Sequence, residues 1–318
     1  MTIIRRAFAI VLGAVVVGAA ILSVASIGTA ANVAVDCDAG GSIRTALGSV
    51  KPGDTVLVSG TCNENVVVAA ELQRITLDGQ GKGAIKAPST ATAAVAVTAR
   101  EIAIKGFTIT GGRNGINVLR GASVVIDGNT ITDTGAARQP GSGLGINVAQ
   151  HSFAAIVKNT IKNNPRAGIL VHESSSARIG FGDVALTGLG NVIQNNGREG
   201  ILLQRASTAR IVGNAIRNNG GDGISLEQSS HAEISDNVLE ENSGNGIGLT
   251  ERSGVNLELK AGGPVSSPPN RTGPAAPNKG VGIHCSVGGY VIGPLGSLNG
   301  AKGAKSLDAT CIDKLAAP

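Results

Sequence analysis

Tryptophan is absent from this 318-residue chain, which has a single tyrosine, Tyr290, and four phenylalanines. Sites for neutral sugars stack rings on exposed aromatics, so this scarcity argues against a neutral-polysaccharide enzyme. Methionine occurs once, at Met1, and no second apolar run after the N-terminal one approaches the length of a membrane span. Strong charge is missing too. The formal net charge of +5 falls to +3 once a leader carrying Arg5 and Arg6 is removed. The loops do not interleave aromatic with basic residues, so nucleic acid is not an expected partner.

Glycine is what the chain has in quantity, and its placement is periodic. Gly115-Ile116, Gly145-Ile146, Gly168-Ile169, Gly200-Ile201, Gly223-Ile224 and Gly246-Ile247 open six copies of a unit with a 23-residue period. An asparagine follows 14 positions later at Asn129, Asn159, Asn214 and Asn237, and 23 positions later at Asn191, as though 9 residues were inserted. About 7 extra residues lengthen the first copy. A fixed period of this size marks a solenoid whose units bury their apolar faces against one another.

Within each copy, Ile116/Val118 and Val124/Ile126 and their equivalents alternate with period two, and a third inward position follows the asparagine at Ile131, Ile161, Ile193, Ile216 and Leu239. Three short strands per turn describe an all-β, right-handed parallel β-helix. A doubly wound α/β sheet would need helical crossovers, and no spacer in the repeats reads as one. The asparagine column is expected to be a structural ladder of stacked amides, and the serines at 152, 175, 207, 230 and 253 a turn column. No fixed His or Asp accompanies those serines to make a nucleophile of them.

Residues 1–31 read as an export signal: Arg5-Arg6, an apolar run from Ala7 to Ile27, then the small residues Gly28-Thr29-Ala30-Ala31. Both an ordinary secretory signal and a twin-arginine signal fit, and an uncleaved segment would be the chain's one route to a membrane. The protein is therefore expected outside the cytoplasm, secreted or periplasmic. Residues 32–54 form an N-terminal cap with a short helix begun by Ser42, and 55–260 the β-helix. A loop rich in proline and glycine spans 261–280, and a C-terminal cap spans 281–318. A solenoid keeps its ends apart, so the four cysteines are expected to pair as Cys37–Cys62 and Cys285–Cys311, each stapling one cap. None has a second cysteine or histidine at ligand spacing, so no metal set and no cofactor is expected there.

The segments Ser42-Ile43-Arg44-Thr45-Ala46-Leu47, Lys51-Pro52-Gly53-Asp54, Gly60-Thr61-Cys62-Asn63-Glu64-Asn65-Val66 and Leu77-Asp78-Gly79, with the later Gly-Ile and Asn-x-Ile units, resemble bacterial β-helix proteins of the pectate-lyase-like superfamily. The resemblance covers about Cys37 to Leu259. It implies the fold and leaves the activity open among pectate lyases, polygalacturonases, pectin methylesterases, alginate epimerases, phage tailspikes, adhesins and copper-accessory periplasmic proteins. The polygalacturonase set (Asn-Thr-Asp, Asp-Asp, Gly-His-Gly, Arg-x-Lys), the epimerase Asp-Pro-His and the clustered aspartates of pectate lyases are absent. Against the copper-accessory proteins stand the lone methionine and four histidines, His151, His172, His231 and His284, that share no column.

Candidate chemistry lies on the outward face of the Gly-Ile strands, beside the loop Thr134–Gly143. Asn147, Leu170, Leu202 and Ser225 are expected to point outward there, with His172, Gln204 and Glu227 as a second polar row. Glu199 and Asp222 hold equivalent positions on adjacent coils, about 5 Å apart along the backbone. Such a carboxylate pair can take calcium or split its pKa values for acid–base work, with Arg198 and Arg166 gripping a uronate. The preferred reading of these residues is plainer, a solvated turn in which Arg198 simply offsets Glu199 and Asp222. The leading expectation is a secreted binder of an acidic extracellular polysaccharide. A lyase, epimerase or hydrolase acting on uronate glycans through Arg198, Glu199, Asp222 or His172 is the alternative, and a purely structural or adhesive solenoid the third.

Overall fold

The computed structural model describes residues 30–135, 142–181, 189–258 and 268–316. The leader, apart from Ala30 and Ala31, lies outside the described residues, as do positions 136–141 and 182–188 of the two inserted loops and 259–267 of the proline-rich stretch. Among those described, the strands form three parallel sheets of twelve, ten and eight members, with one helix. Each turn of the chain gives one strand to each sheet in succession, and the fold is a right-handed parallel β-helix of the pectate-lyase-like kind.

The ten-stranded sheet holds the Gly-Ile strands. Ile116, Ile146, Ile169, Ile201, Ile224, Ile247 and Ile283 follow one another in register. Each is 0% exposed. Burial of each side chain contributes roughly 2 kcal/mol before chain entropy is charged against it. β-Branched residues suit these columns, because they pack well on the pleated surface and are stiff at χ1.

Polar columns satisfy the corners. Asn129 donates from its backbone N and Nδ2 to Asn159 Oδ1 at 2.9 and 3.1 Å. The same pair of bonds recurs from Asn159 to Asn191, Asn191 to Asn214 and Asn214 to Asn237. Phe107 heads the ladder, and only its backbone N–H engages Asn129. The serine column is a second such device: each backbone N–H from Ser152 to Ser230 donates to the next serine Oγ at 3.2 Å. A further ladder escaped the sequence reading. Thr134, Asn164, Asn196, Asn219, Asn242 and Asn278 link side chain to side chain at 2.8–3.0 Å along another corner.

At the N-terminal end the helix Ile43–Leu47 lies over the coil, burying Ile43 and Leu47. Ser42 Oγ accepts from Thr45 N, and Glu64 accepts from Ile43 N and Arg44 N, so the first turn's free N–H groups are paired. Both disulfides form as expected, Cys37–Cys62 and Cys285–Cys311. Past residue 260, where the sequence reading ends the regular coils, Asn270 and Asn278 add a rung to each asparagine ladder. Strands Ile283–Cys285, Tyr290–Gly293, Lys305–Leu307 and Ile312–Leu315 then extend the ten- and twelve-stranded sheets. Five prolines conceal these rungs in the sequence.

Candidate functional site

The outward face of the ten-stranded sheet is less open than its alternation predicts. Leu170 and Leu202, expected to be solvent-facing, are buried, and they form an apolar cluster with Leu144 and Ala167. Asn147 and Ser225 are buried as well. Leu144 and Ala167, each just before a repeat glycine, pack against these leucines and close that part of the face. Polar groups emerge around that apolar floor.

A cleft of about 200 Å³ opens where Asn147, Arg166, His172, Gln204 and Arg205 meet over Leu170. His172 Nε2 lies 3.0 Å from Asn147 Oδ1. Burial lowers the His172 pKa; Glu173 opposes this, while Arg205 and Arg166 reinforce it. Gln204 Nε2 donates to Glu227 Oε2 at 2.6 Å, and Ser225 Oγ reaches Glu227 Oε1 at 3.4 Å. The structure thus joins Asn147, Arg166, His172, Gln204 and Glu227 into one constellation.

Arg198, Glu199 and Asp222 stand outside the walls of that cleft, on the edge of the same sheet. Arg198 donates to Glu199 Oε1 at 3.1 Å. Glu199 Oε2 is buried and has no hydrogen-bond partner. Asp222 Oδ1 accepts from Asn245 N and Nδ2 at 2.6 and 3.1 Å. Its other oxygen rests over Gly248, where any Cβ would strike the carboxylate. Desolvation raises the Asp222 pKa to about 6 against the Asn245 bonds, and the charge of Glu199 adds to the rise. The corner thus holds two acids, Glu199 buried and paired with Arg198 through one oxygen only, and Asp222 with its pKa raised by burial.

Gly248 was not singled out from the sequence. A glycine in the middle of a strand signals close approach by another group, and that signal was legible at Ile247-Gly248-Leu249.

The coil, its ladders and its polar outward face define a pectate-lyase-like β-helix protein, and comparison with known proteins narrows this. Residues 73–257, more than half of the chain, match the NosD family, described as periplasmic copper-binding protein, and the chain belongs to that family. Among solved structures, pectate lyase Pel9A aligns with a TM-score of 0.58 at 14% identity, over 92% of this chain and 80% of that one. The A-module of the Azotobacter vinelandii mannuronan C-5 epimerase AlgE6 aligns at 0.49 and 12%, over 90% and 88%. The periplasmic alginate epimerase AlgG aligns at 0.45 and 15%, over 83% and 71%. At such identities the likeness speaks for the fold. No curated protein matches in sequence. Two disulfides accord with an oxidising compartment, extracellular or periplasmic. No helix among the described residues is long and apolar enough to cross a membrane.

Proposed function

We propose that the protein, exported by its N-terminal signal, binds an acidic polysaccharide along the outward face of the ten-stranded sheet. The observation that carries this reading is the convergence of Arg166, Asn147, His172 and Gln204 on one cleft, with Arg198 on the same edge. Guanidinium groups in a half-buried setting hold carboxylates bidentately, and amides satisfy sugar hydroxyls. An enzymatic reading on uronate glycans draws on a different observation, the raised Asp222 beside the unpartnered Glu199 oxygen. There Asp222 would move a proton and the pair would take calcium.

Copper finds less support in this chain. The sulfurs of Cys37 and Cys62 are bonded to each other, which removes them from the Cys37–Cys62–Glu64 group. His172 is engaged by Asn147, and among the described residues no three His, Cys, Asp or Glu side chains converge elsewhere. These residues do not fit a copper centre.

The test incubates mature protein with polygalacturonate and with alginate, with and without calcium, reading retention in affinity electrophoresis and ultraviolet absorbance of unsaturated ends. Retention that weakens with salt, and weakens about tenfold in Arg166→Ala, is the expected result. Absence of retention on either polymer defeats the binding reading. New unsaturated ends lost in Asp222→Asn would establish the enzymatic one.

A further inference from the structure

The twelve-stranded sheet has an outward face of its own, turned away from the cleft. Phe153, Ser176, Thr208, His231, Gly254 and Tyr290 form one straight column, each in register with the next. Two residues further along each strand runs a parallel column containing Arg178, Arg210, Glu233 and Asn256. Together they line an open trough of about 620 Å³ along the helix axis.

The chain's few aromatic rings are unevenly spent. Phe107 and Phe181 are buried, at 2% and 4% exposure. Phe153 and Tyr290, separated by 137 positions in sequence, are the two described Phe or Tyr rings that stay partly open, and both fall in this one column. Chance placement over three sheets does not favour that outcome. The Tyr290 ring lies across Gly254, where a Cβ would run into the ring carbons. His231 stacks against it, with ring centroids 5.6 Å apart and planes within 20° of parallel. At the opposite end the Arg178 guanidinium sits 5.8 Å from the Phe153 centroid. Between the two ends Arg210, half exposed, pairs with Glu233 at 2.6 Å. From Phe153 to Gly254 is four coils, or about 19 Å of sheet.

We propose that this trough is a second glycan site, which takes a linear anionic polysaccharide laid along the helix axis, with sugar faces against Tyr290 and Phe153 and a carboxylate at Arg210. Each part has a physical reason. Ring faces attract the C–H faces of sugars, as flat apolar surfaces do. The half-exposed Arg210 guanidinium places N–H donors between the two rings, where the carboxylate of an acidic chain can reach them. A guanidinium already held by one carboxylate keeps further N–H donors for a second. The site stands on residues separate from those of the ten-stranded face, so either reading can fail without the other.

The composition supplies the experiment. Tyr290 is the sole tyrosine and tryptophan is absent, so intrinsic tyrosine emission reports on this trough alone. Titrating the mature protein with an oligogalacturonate at low salt is expected to change that emission saturably. A neutral oligosaccharide of equal length leaves it flat. Arg210→Ala and Phe153→Leu are each expected to weaken the apparent Kd about tenfold, the size of one good contact. Unchanged thermal midpoints would show that both variants still fold. The proposal is overturned if emission stays flat with the oligogalacturonate, if the neutral sugar evokes the same change, or if neither variant shifts the curve. Retention in electrophoresis with flat emission would leave the ten-stranded face standing and remove the trough.

Discussion

Inward and outward columns of one strand obey different rules. In the ten-stranded sheet, the inward position after the repeat glycine is isoleucine in seven successive coils. One residue further along each strand, the outward position reads Asn117, Asn147, Leu170, Leu202, Ser225, Gly248 and His284. Every inward side chain is pressed by the coils above and below, so a change in volume is felt at once. Outward side chains meet such demands only where a corner folds over them. Repetition therefore records packing, and departures from repetition record whatever else the molecule does.

The sharpest way to break this contrast is to substitute a rung. Asn214→Leu removes the acceptor of Asn191 N and Nδ2, and the donor to Ile179 O, Val212 O and Asn237 Oδ1. With several buried groups left unpaired, a loss of about 4 kcal/mol in urea unfolding is expected. A loss below about 1 kcal/mol would mean that the ladder is ornament and the contrast false.

Asp222 tests the intermediate case, an outward acid that has been buried. Its folded pKa of about 6 lies above its ordinary 3.8, so the folded protein holds a proton that the unfolded chain releases. Its contribution favours folding most below about pH 4 and declines as pH rises through 6. Asp222→Asn should flatten that decline. Relative to the unsubstituted protein, and referenced to pH 4, the variant should gain up to roughly 3 kcal/mol at pH 7, less where solvent screens the site. Parallel pH profiles of urea midpoints for the two proteins would show instead that the carboxylate is solvated.

The smallest effect belongs to an unconstrained outward position. Val125 is 44% exposed, beside Ile126 at 0% on the same strand. Val125→Thr should move the unfolding free energy by no more than about 0.5 kcal/mol. A larger loss would indicate that something covers this stretch of the twelve-stranded face in solution.

Much of the fold was legible because a 23-residue period needs no knowledge of contacts. The first asparagine ladder and the serine column were read directly. The second ladder was hidden: Asn164, Asn196 and Asn219 sit in or beside other asparagines, and its first rung is Thr134. The site was legible in part. Asn147, His172 and Gln204 do meet, because strand register stacks their coils, and Arg166 joins them from the corner before Gly168, whereas the exposure of Leu170 and Leu202 was misjudged because alternation knows nothing of the corner that packs on them. The column of Phe153, His231 and Tyr290 was missed for a related reason. Insertions make its sequence separations irregular, and counting aromatic residues says how many rings there are without saying that two share a line.

The spacing between ladder partners has a consequence for how such a molecule changes over time. From Asn129 onward the successive separations are 30, 32, 23, 23 and 33 residues. Yet the amide-to-amide bonds all fall between 2.8 and 3.1 Å. Lengthening a loop costs only a logarithm of its size. A lineage can therefore remodel the rims of either face, residue by residue, while the scaffold beneath goes on folding as before.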